Sequence, residues 1–239
     1  MIYDISSDRT TLFVPPVDAE DILWSGMPSA PEELLAKYDI DAVFPNTDLQ
    51  ATLDLIGRKA CQNNGTTFTF ADHHEYDIGL PKGLKVNSTI LEEAIDECRV
   101  NKDEYEIALV QKACDISSAA HRAVIESVKG SRNEAELDGV VLGECTKRGA
   151  KIQAYPSIVA SGRTAVTMHY ESNNQDLYIN GQAKDVVVMD AGAECNCYGA
   201  DITRTLPISG KFTRQSRSIY DLVLKMQENC IDMLKEGVL

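Results

Sequence analysis

Hydrophobic periodicity separates a mixed first part of the chain from a more helical second part. In the first hundred residues, short strand-like runs such as Thr10–Val14, which a proline pair ends, alternate with helical spacings such as Asn46–Ile56, which Gly57 closes. Further strands are predicted at Ala42–Phe44 and Thr66–Phe70 because these runs are β-branched or aromatic. Such alternation predicts an α/β layer domain over residues 1–100.

Three amphipathic helices are predicted beyond the polar stretch Cys98–Asp103, where we place the boundary between domains 1–100 and 101–239. The first covers 103–129, Asn133 caps a second over Glu134–Arg148, and Thr213 caps the last. The core stripe predicted for the first helix is Ile107, Val110, Cys114, Ser117, His121, Val124 and Val128. The core stripe predicted for the last helix is Ile219, Leu222, Val223, Met226, Cys230 and Met233.

Composition narrows the possible partners and compartment. The 239 residues carry a formal net charge of −14, which disfavours nucleic acid and anionic membranes as partners. No apolar run approaches the ~20 residues needed to span a bilayer, and the first residues lack the pattern of a secretory signal. Seven scattered cysteines suit a reducing compartment, so a cytoplasmic location is expected. The missing G-x-S-x-G elbow disfavours serine hydrolase chemistry.

Two aspartates, Asp190 and Asp201, stand in neighbouring apolar runs of the segment Val186–Pro207. Their midpoint falls at Cys195–Asn196, so a symmetric hairpin would place them directly opposite each other, with Cβ atoms ~4.5–5.5 Å apart on one face. Like charges this close repel, and a pair of divalent metal ions is a common remedy. The spacing indicates half of a dinuclear metal site, although two loop carboxylates in water would give the same pattern.

Other residues near these aspartates also have side chains that can bind a metal ion. A calcium loop of the EF-hand type fits poorly because its sixth position would be Cys195 instead of glycine. Cys195 and Cys197 are two thiols without a second pair nearby, so free thiols are favoured over zinc ligation. Glu194 is a conceivable extra ligand, and Arg204 could pair with a carboxylate of the site or form an exposed salt bridge.

The histidines differ in what their surroundings suggest. His169 follows the strand-like run Ala165–Met168, and its uncharged imidazole could donate a hydrogen bond to an oxygen that becomes negative during carbonyl attack. His121 falls on the buried helix stripe and is predicted to be a core residue. His73 and His74 are predicted to be structural or surface residues, because neighbours on an extended chain point to opposite sides.

Four segments in the run from Tyr155 to Gly210 and just beyond it carry a family resemblance: YPSIVASG, MHY, MDAGAE and YGADITRTLPISGKFT. In order, spacing and flanking glycines, they resemble the M24 metallopeptidases of the aminopeptidase P and prolidase type. The similarity extends more loosely from about Asp8 to the C-terminus. The resemblance implies a partial N-terminal α/β domain followed by the first half of a pita-bread catalytic domain, an α/β (α+β) fold overall.

The resemblance also implies a chemistry. Asp190 and Asp201 would bind two divalent metal ions, most readily Mn²⁺, with Zn²⁺, Co²⁺ or Fe²⁺ as alternatives. His169 would stabilise the reaction intermediate. The substrate would be a proline-containing peptide cleaved before proline, as in an Xaa-Pro aminopeptidase or an Xaa-Pro dipeptidase, and a homo-oligomer is possible.

One departure from the family pattern opens a second hypothesis. The family's metal shell includes a further histidine and two glutamates, and all three come later than this chain runs. Two carboxylates are too few ligands to hold two ions tightly. The alternative is therefore a catalytically inactive fragment, or an interaction and assembly module, that retains the M24 fold.

Overall fold

Short strands separated by helices make up the N-terminal unit, Met1–Asn101, of the computed structural model, which describes residues 1–70, 79–80 and 83–238. Its strands are β1 Ile2–Asp4, β2 Arg9–Val14, β3 Ala42–Pro45, β4 Thr66–Phe68 and β5 Lys85–Asn87. Its helices are α1 Ala19–Ser25, α2 Pro31–Lys37, α3 Leu49–Gln62 and α4 Ile90–Val100. Strand β2 pairs antiparallel with β1 and parallel with β3, and β4 and β5 form a parallel pair. The mixture of helices and strands agrees with the predicted α/β class.

Helix α3 is longer than the sequence predicts. The sequence predicts an end at Gly57, but the helix continues to Gln62, and Gly57 is buried within it. A helical glycine costs only about 1 kcal/mol relative to alanine, which the packing of the helix can offset. The helix ends instead before Asn64, whose φ of 54° cannot continue it.

The C-terminal unit, Lys102–Leu239, is built from three α-helices, one 3₁₀-helix and seven strands among the described residues. Its helices are α5 Glu104–Ser127, α6 Glu134–Lys147 and α7 Arg214–Met233. Its strands are β6 Ile158–Ser161, β7 Tyr178–Ile179, β8 Gln182–Ala183, β9 Val186–Asp190, β10 Glu194–Cys195, β11 Tyr198–Gly199 and β12 Thr203–Pro207. The central sheet has the antiparallel order β12–β9–β6. The assignment of the two units as domains 1–100 and 101–239 stays a prediction.

Helix α5 provides much of the core of this unit. Asp103 and Glu106 close a capping box at its start: the Glu106 N–H donates to Asp103, and the Asp103 N–H donates to Glu106, each over 2.8 Å. The buried side chains of the helix are Leu109, Ala113, Ile116, Ser117, Ala120, His121 and Val124. The predicted stripe is confirmed for its last members but wrong at Ile107, which is 56% exposed. Helix α5 packs against α6, and two of its buried residues are alanines, Ala113 and Ala120.

Helix α7 begins where the sequence predicts, but its predicted core face is not buried. Thr213 caps it as predicted, accepting a hydrogen bond from the Ser216 N–H over 3.2 Å. None of the residues of α7 is buried, however, and the six predicted core positions are all exposed. Periodicity reports that one face of a helix is apolar, and it does not report whether another element covers that face.

No helix among the described residues combines the length and the apolar character that crossing a membrane requires.

Candidate metal centre

The two aspartates lie on one hairpin but are not directly opposite each other. Asp190 ends β9 and pairs with Thr203, and further along the hairpin Cys195 pairs with Tyr198. Asp201 is therefore displaced by two residues from the position opposite Asp190. The prediction of direct opposition is wrong, but a displacement of two residues keeps both side chains on the same face of the hairpin, because strand side chains alternate.

The turn chemistry explains the displacement. The hairpin tip is formed by Asn196 and Cys197, with φ values of 49° and 67°. Two-residue hairpin turns of type I′ need positive φ at both central residues, and asparagine tolerates that region well. The tip therefore lies one residue beyond the midpoint between the two aspartates. As a result, the residue that pairs with Asp190 is Thr203, two positions after Asp201.

The two aspartates lie on the side of the hairpin that faces away from the buried core. In β9, Val187 and Met189 are fully buried, whereas Val188 and Asp190 on the other face are half-buried. Asp201 is exposed, in the segment between β11 and β12. The candidate site thus opens to solvent on the face of the sheet that the core residues do not use.

Tyr155 joins the two carboxylates. Its hydroxyl oxygen is within hydrogen-bonding distance of Asp190 Oδ1 and lies 3.1 Å from Asp201 Oδ1. The two carboxylate oxygens are therefore no more than about 6 Å apart. Burial raises the pKa of the phenol, and the hydrogen bonds and charges of the two aspartates raise it further. One phenolic proton serves two carboxylates, so this cluster can accept a cation.

A close backbone approach holds the hairpin together beside the aspartates. A Cβ atom at Gly192 would lie 1.6 Å from the carbonyl oxygen of Ala200. Only glycine fits there, because any side chain would push the two arms of the hairpin apart. The Ala200 N–H in turn donates to Ala193 O over 3.0 Å. Gly192 thus fixes the distance between the segments that carry Asp190 and Asp201.

His169 is positioned differently from what the sequence predicts. Strand β6 ends at Ser161, and a 3₁₀-helix, Gly162–Val166, occupies the first half of the run that the sequence predicts as a strand. The φ of 60° at Gly162 leaves the extended region and starts this turn. His169 follows in an exposed turn, and among the described residues no hydrogen bond connects its ring with either aspartate.

His121 is a core histidine, as predicted. It is buried on α5, and its Nε2 atom lies 3.0 Å from the carbonyl oxygen of Ala191, the residue after Asp190. Burial lowers the pKa of the imidazole.

The other candidates contribute little to the site. Arg204 donates to the Thr203 carbonyl over 2.8 Å, and it forms no ion pair within the described ranges. Cys195 is buried and Cys197 exposed, both as free thiols. His73 and His74 lie outside the described residues. Among the residues that the structure describes, no group of three or more histidine, cysteine, aspartate or glutamate residues could hold a metal ion.

Sequence reasoning gave no role to Tyr155 or to Glu134, a buried glutamate whose contacts are described below. The sequence signal available for Tyr155 was its place as the first residue of the YPSIVASG segment. Glu134 gave a misleading signal, since a glutamate in the first turn of a helix is ordinarily solvent-exposed.

Comparison with known proteins decides the family. The family model described as metallopeptidase family M24 matches residues 108–239, a segment that contains both aspartates, Tyr155 and His169. The chain belongs to metallopeptidase family M24. A second family model, described as the N-terminal domain of aminopeptidase P, matches residues 1–63 of this M24 chain.

Curated relatives match this M24 chain from end to end. It is 49% identical over 238 residues to a protein of Podospora anserina named probable Xaa-Pro aminopeptidase PEPP, covering 100% of this chain and 50% of the relative. A protein of Sordaria macrospora named probable Xaa-Pro aminopeptidase is 47% identical, again over 100% of this chain and 50% of the relative. The chain spans about half the length of the curated relatives it matches.

Solved structures confirm the fold class. The low-pH form of E. coli aminopeptidase P superposes with a TM-score of 0.79 at 25% identity, covering 94% of this M24 chain and 52% of that one. Proline aminopeptidase P II from Yersinia pestis gives a TM-score of 0.76 at 25% identity, over 95% and 53% of the two chains. Zinc-substituted E. coli aminopeptidase P in complex with product gives 0.80 at 24% identity, over 96% and 54%, a likeness that shows the fold. The predicted pita-bread fold, present here over about half of those chains, is thereby confirmed.

Proposed function

We propose that this chain provides part of the metal centre of a peptidase that cleaves the bond before proline. The observation that carries the proposal is the convergence of the Asp190 and Asp201 carboxylates on the Tyr155 hydroxyl, within the M24 match. The names of the end-to-end relatives support an Xaa-Pro aminopeptidase over a dipeptidase. The activity is proposed for a protein of the length of those relatives.

The residues of the hairpin fit a divalent cation. Asp190 and Asp201 would contribute carboxylate oxygens to two ions, and oxygen ligands favour Mn²⁺, with Zn²⁺, Co²⁺ or Fe²⁺ as alternatives. When bound, such ions supply Lewis-acid activation of the scissile carbonyl and of the attacking water. Tyr155 would orient the two carboxylates, and His169 would donate a hydrogen bond to the developing negative charge on the substrate oxygen.

Metal binding is the direct test of this site. For Asp190→Asn and Asp201→Asn, we expect Mn²⁺ binding weaker by roughly tenfold or more, because each change removes one ligating charge. The control is Asp115→Asn, which neutralises an exposed carboxylate on α5 and makes the same change in net charge. Calorimetric titration with Mn²⁺ measures wild type and all three variants in a protein of the relatives' length. Equal affinities for wild type and both hairpin variants would exclude the two aspartates as ligands.

Peptide hydrolysis tests the proposed substrate. A protein of the relatives' length, loaded with Mn²⁺, is expected to release the first residue of an Xaa-Pro tripeptide and to leave the matching Xaa-Ala tripeptide largely uncleaved. Equal rates on the two peptides would contradict proline specificity. Residues 1–239 alone are expected to show no turnover with added Mn²⁺, because two carboxylates cannot hold two ions tightly.

The second candidate is a catalytically inactive module that keeps the M24 fold. The small number of ligands among the described residues favours it, and so does the exposed apolar stripe of α7. This candidate predicts assembly with a second copy of the chain, which sedimentation velocity at increasing concentration would detect. Hydrolysis by residues 1–239 alone would exclude it.

We also propose that the protein is located in the cytoplasm. The acidic composition and the seven free cysteines support it.

A further inference from the structure

Glu134 is a charged residue that the site described above does not use. It is the first residue of α6, and it is 0% exposed. Its two carboxylate oxygens accept four hydrogen bonds. Oε1 accepts from the N–H and the hydroxyl of Ser161, over 2.7 and 2.6 Å, and Oε2 accepts from the Tyr170 hydroxyl and the Gln175 N–H, over 2.9 and 2.8 Å.

A buried carboxylate of this kind is costly unless its surroundings compensate for lost water. The N-terminal end of α6 provides the positive end of the helix dipole next to Glu134. Lys184 adds a positive charge one hydrogen bond away, since its Nζ atom donates to the Ser161 hydroxyl over 2.9 Å. With four donors on two oxygens, the carboxylate is saturated. It is therefore available neither to bind a metal nor to accept a proton from substrate.

The partners of Glu134 surround His169 along the chain. Ser161 ends β6 just before the loop that carries His169, Tyr170 follows His169 directly, and Gln175 lies near the end of the loop. The backbone adds a further connection, because the Glu134 N–H donates to the Gln175 carbonyl over 3.0 Å. One side chain thus holds the loop before His169, immediately after it, and at its far end.

Asn173 anchors another part of the same loop to β6 and to the residue just before it. Its side chain accepts from the Val159 N–H over 2.8 Å and donates to the Ser157 carbonyl over 2.7 Å. These bonds hold the end of the loop against the strand. Tyr170, the neighbour of His169, is bonded through its hydroxyl to Glu134.

We propose that Glu134 is a positioning residue for His169: its carboxylate holds Ser161, Tyr170 and Gln175 so that the loop presents the imidazole in one place. The role of His169 itself rests on the proposed function. The positioning of the loop does not, and it can be tested without activity.

The test compares Glu134→Gln with Glu136→Gln in the full chain. Glutamine keeps the size of the side chain but replaces one acceptor oxygen by an amide donor. In either orientation this sets the N–H of Ser161 or of Gln175 against that donor. Glu136 is an exposed neighbour on the same helix, and within the described part of the chain its side chain accepts only from the Arg132 N–H, so its glutamine variant is the matched control.

Amide hydrogen exchange and the NMR signals of the His169 ring are the readouts. In Glu134→Gln we expect exchange at Ser161 or Gln175 to accelerate by about tenfold or more, with a shifted or broadened His169 ring signal. Exchange of the α5 core amides and the His121 ring signal should stay as in wild type. Glu136→Gln should resemble wild type throughout. Equal acceleration in α5, or an unchanged His169 signal, would overturn the proposal.

A milder variant decides the case if Glu134→Gln fails to fold. Tyr170→Phe removes one of the four hydrogen bonds and should alter the His169 ring signal alone, and an unaltered signal would overturn the proposal. In a protein with Xaa-Pro peptidase activity, Glu134→Gln should lower kcat more than it changes KM. Absence of wild-type turnover would count against the proposed function, while the exchange and ring signals would still decide the positioning role.

Discussion

The imidazole of His121 lies beneath the strand that carries Asp190. Its Nε2 faces the Ala191 carbonyl, so the ring must carry its proton on that nitrogen in order to donate. Burial is the largest influence on its pKa and lowers it; the charge of Arg204 lowers it further, whereas the Ala191 carbonyl and Asp190 raise it. The net shift is downward, and the folded chain therefore holds this imidazole uncharged near neutral pH.

Stability should depend on pH through this residue. An unfolded histidine takes up its proton near a pKa of about 6.5, whereas folded His121 does so only at lower pH. As pH falls below about 6.5, the unfolded state binds a proton that the folded state does not, and the free energy of unfolding decreases until the lowered pKa is passed. The variant His121→Gln keeps an amide donor and cannot titrate. Urea unfolding at pH 7.5 and 5.5 should show a smaller loss for the variant, and equal losses would contradict this account.

At the scale of elements, the hairpin from β9 to β12 determines the geometry of the candidate site. Its arms approach so closely at Gly192 that the Ala200 carbonyl fills the place of a side chain. This contact lies between Asp190 and Asp201 along the chain. A change at Gly192 should therefore affect both folding and the distance between the carboxylates.

Gly192→Ala should destabilise the chain by about 1–3 kcal/mol, because the added Cβ forces the backbone to shift. It should also weaken Mn²⁺ binding, since the two carboxylates would separate. Gly143→Ala is the control: Gly143 lies in α6 with no atom within 4 Å of an added Cβ, so alanine should stabilise by about 0.5–1 kcal/mol. Urea unfolding and Mn²⁺ titration measure both effects. Wild-type behaviour of Gly192→Ala would contradict the close approach.

At the scale of the whole molecule, buried apolar side chains are concentrated in one unit. All the buried hydrophobic residues that the structure describes lie between Leu109 and Ile208, and in the described part of the N-terminal unit only Gly57 is buried. The apolar stripe of α7 adds nothing to this core. The two kinds of apolar position should respond differently to substitution.

Leu137→Ala and Leu222→Gln provide the comparison. Leu137 is 0% exposed, so its truncation should cost about 2–5 kcal/mol of unfolding free energy. Leu222 is 56% exposed, so its replacement should change stability by no more than about 0.5 kcal/mol. Chemical denaturation at low protein concentration measures both. A comparable loss for Leu222→Gln would show that another surface covers the stripe in solution.

These scales also explain what the sequence could predict. Caps at Asn133 and Thr213 are local, because one side chain bonds a nearby backbone group, and both predicted caps are correct. The first helix, predicted from residue 103, begins one residue later at Glu104, with Asp103 as its cap. The shared face of the two aspartates follows from strand alternation. Whether another element covers α7, and whether Glu134 is buried, depends on residues that are distant in sequence. Periodicity along the chain carries no information about such residues.

The pairing of the hairpin has a consequence for how this segment can vary in length. Adding or removing one residue between Asp190 and Asp201 would turn one carboxylate to the opposite side of the ribbon. Adding or removing two would restore the shared side while sliding one carboxylate along the other arm. Natural length variation in this loop is therefore expected to occur in even steps, and an odd step should accompany loss of cation binding.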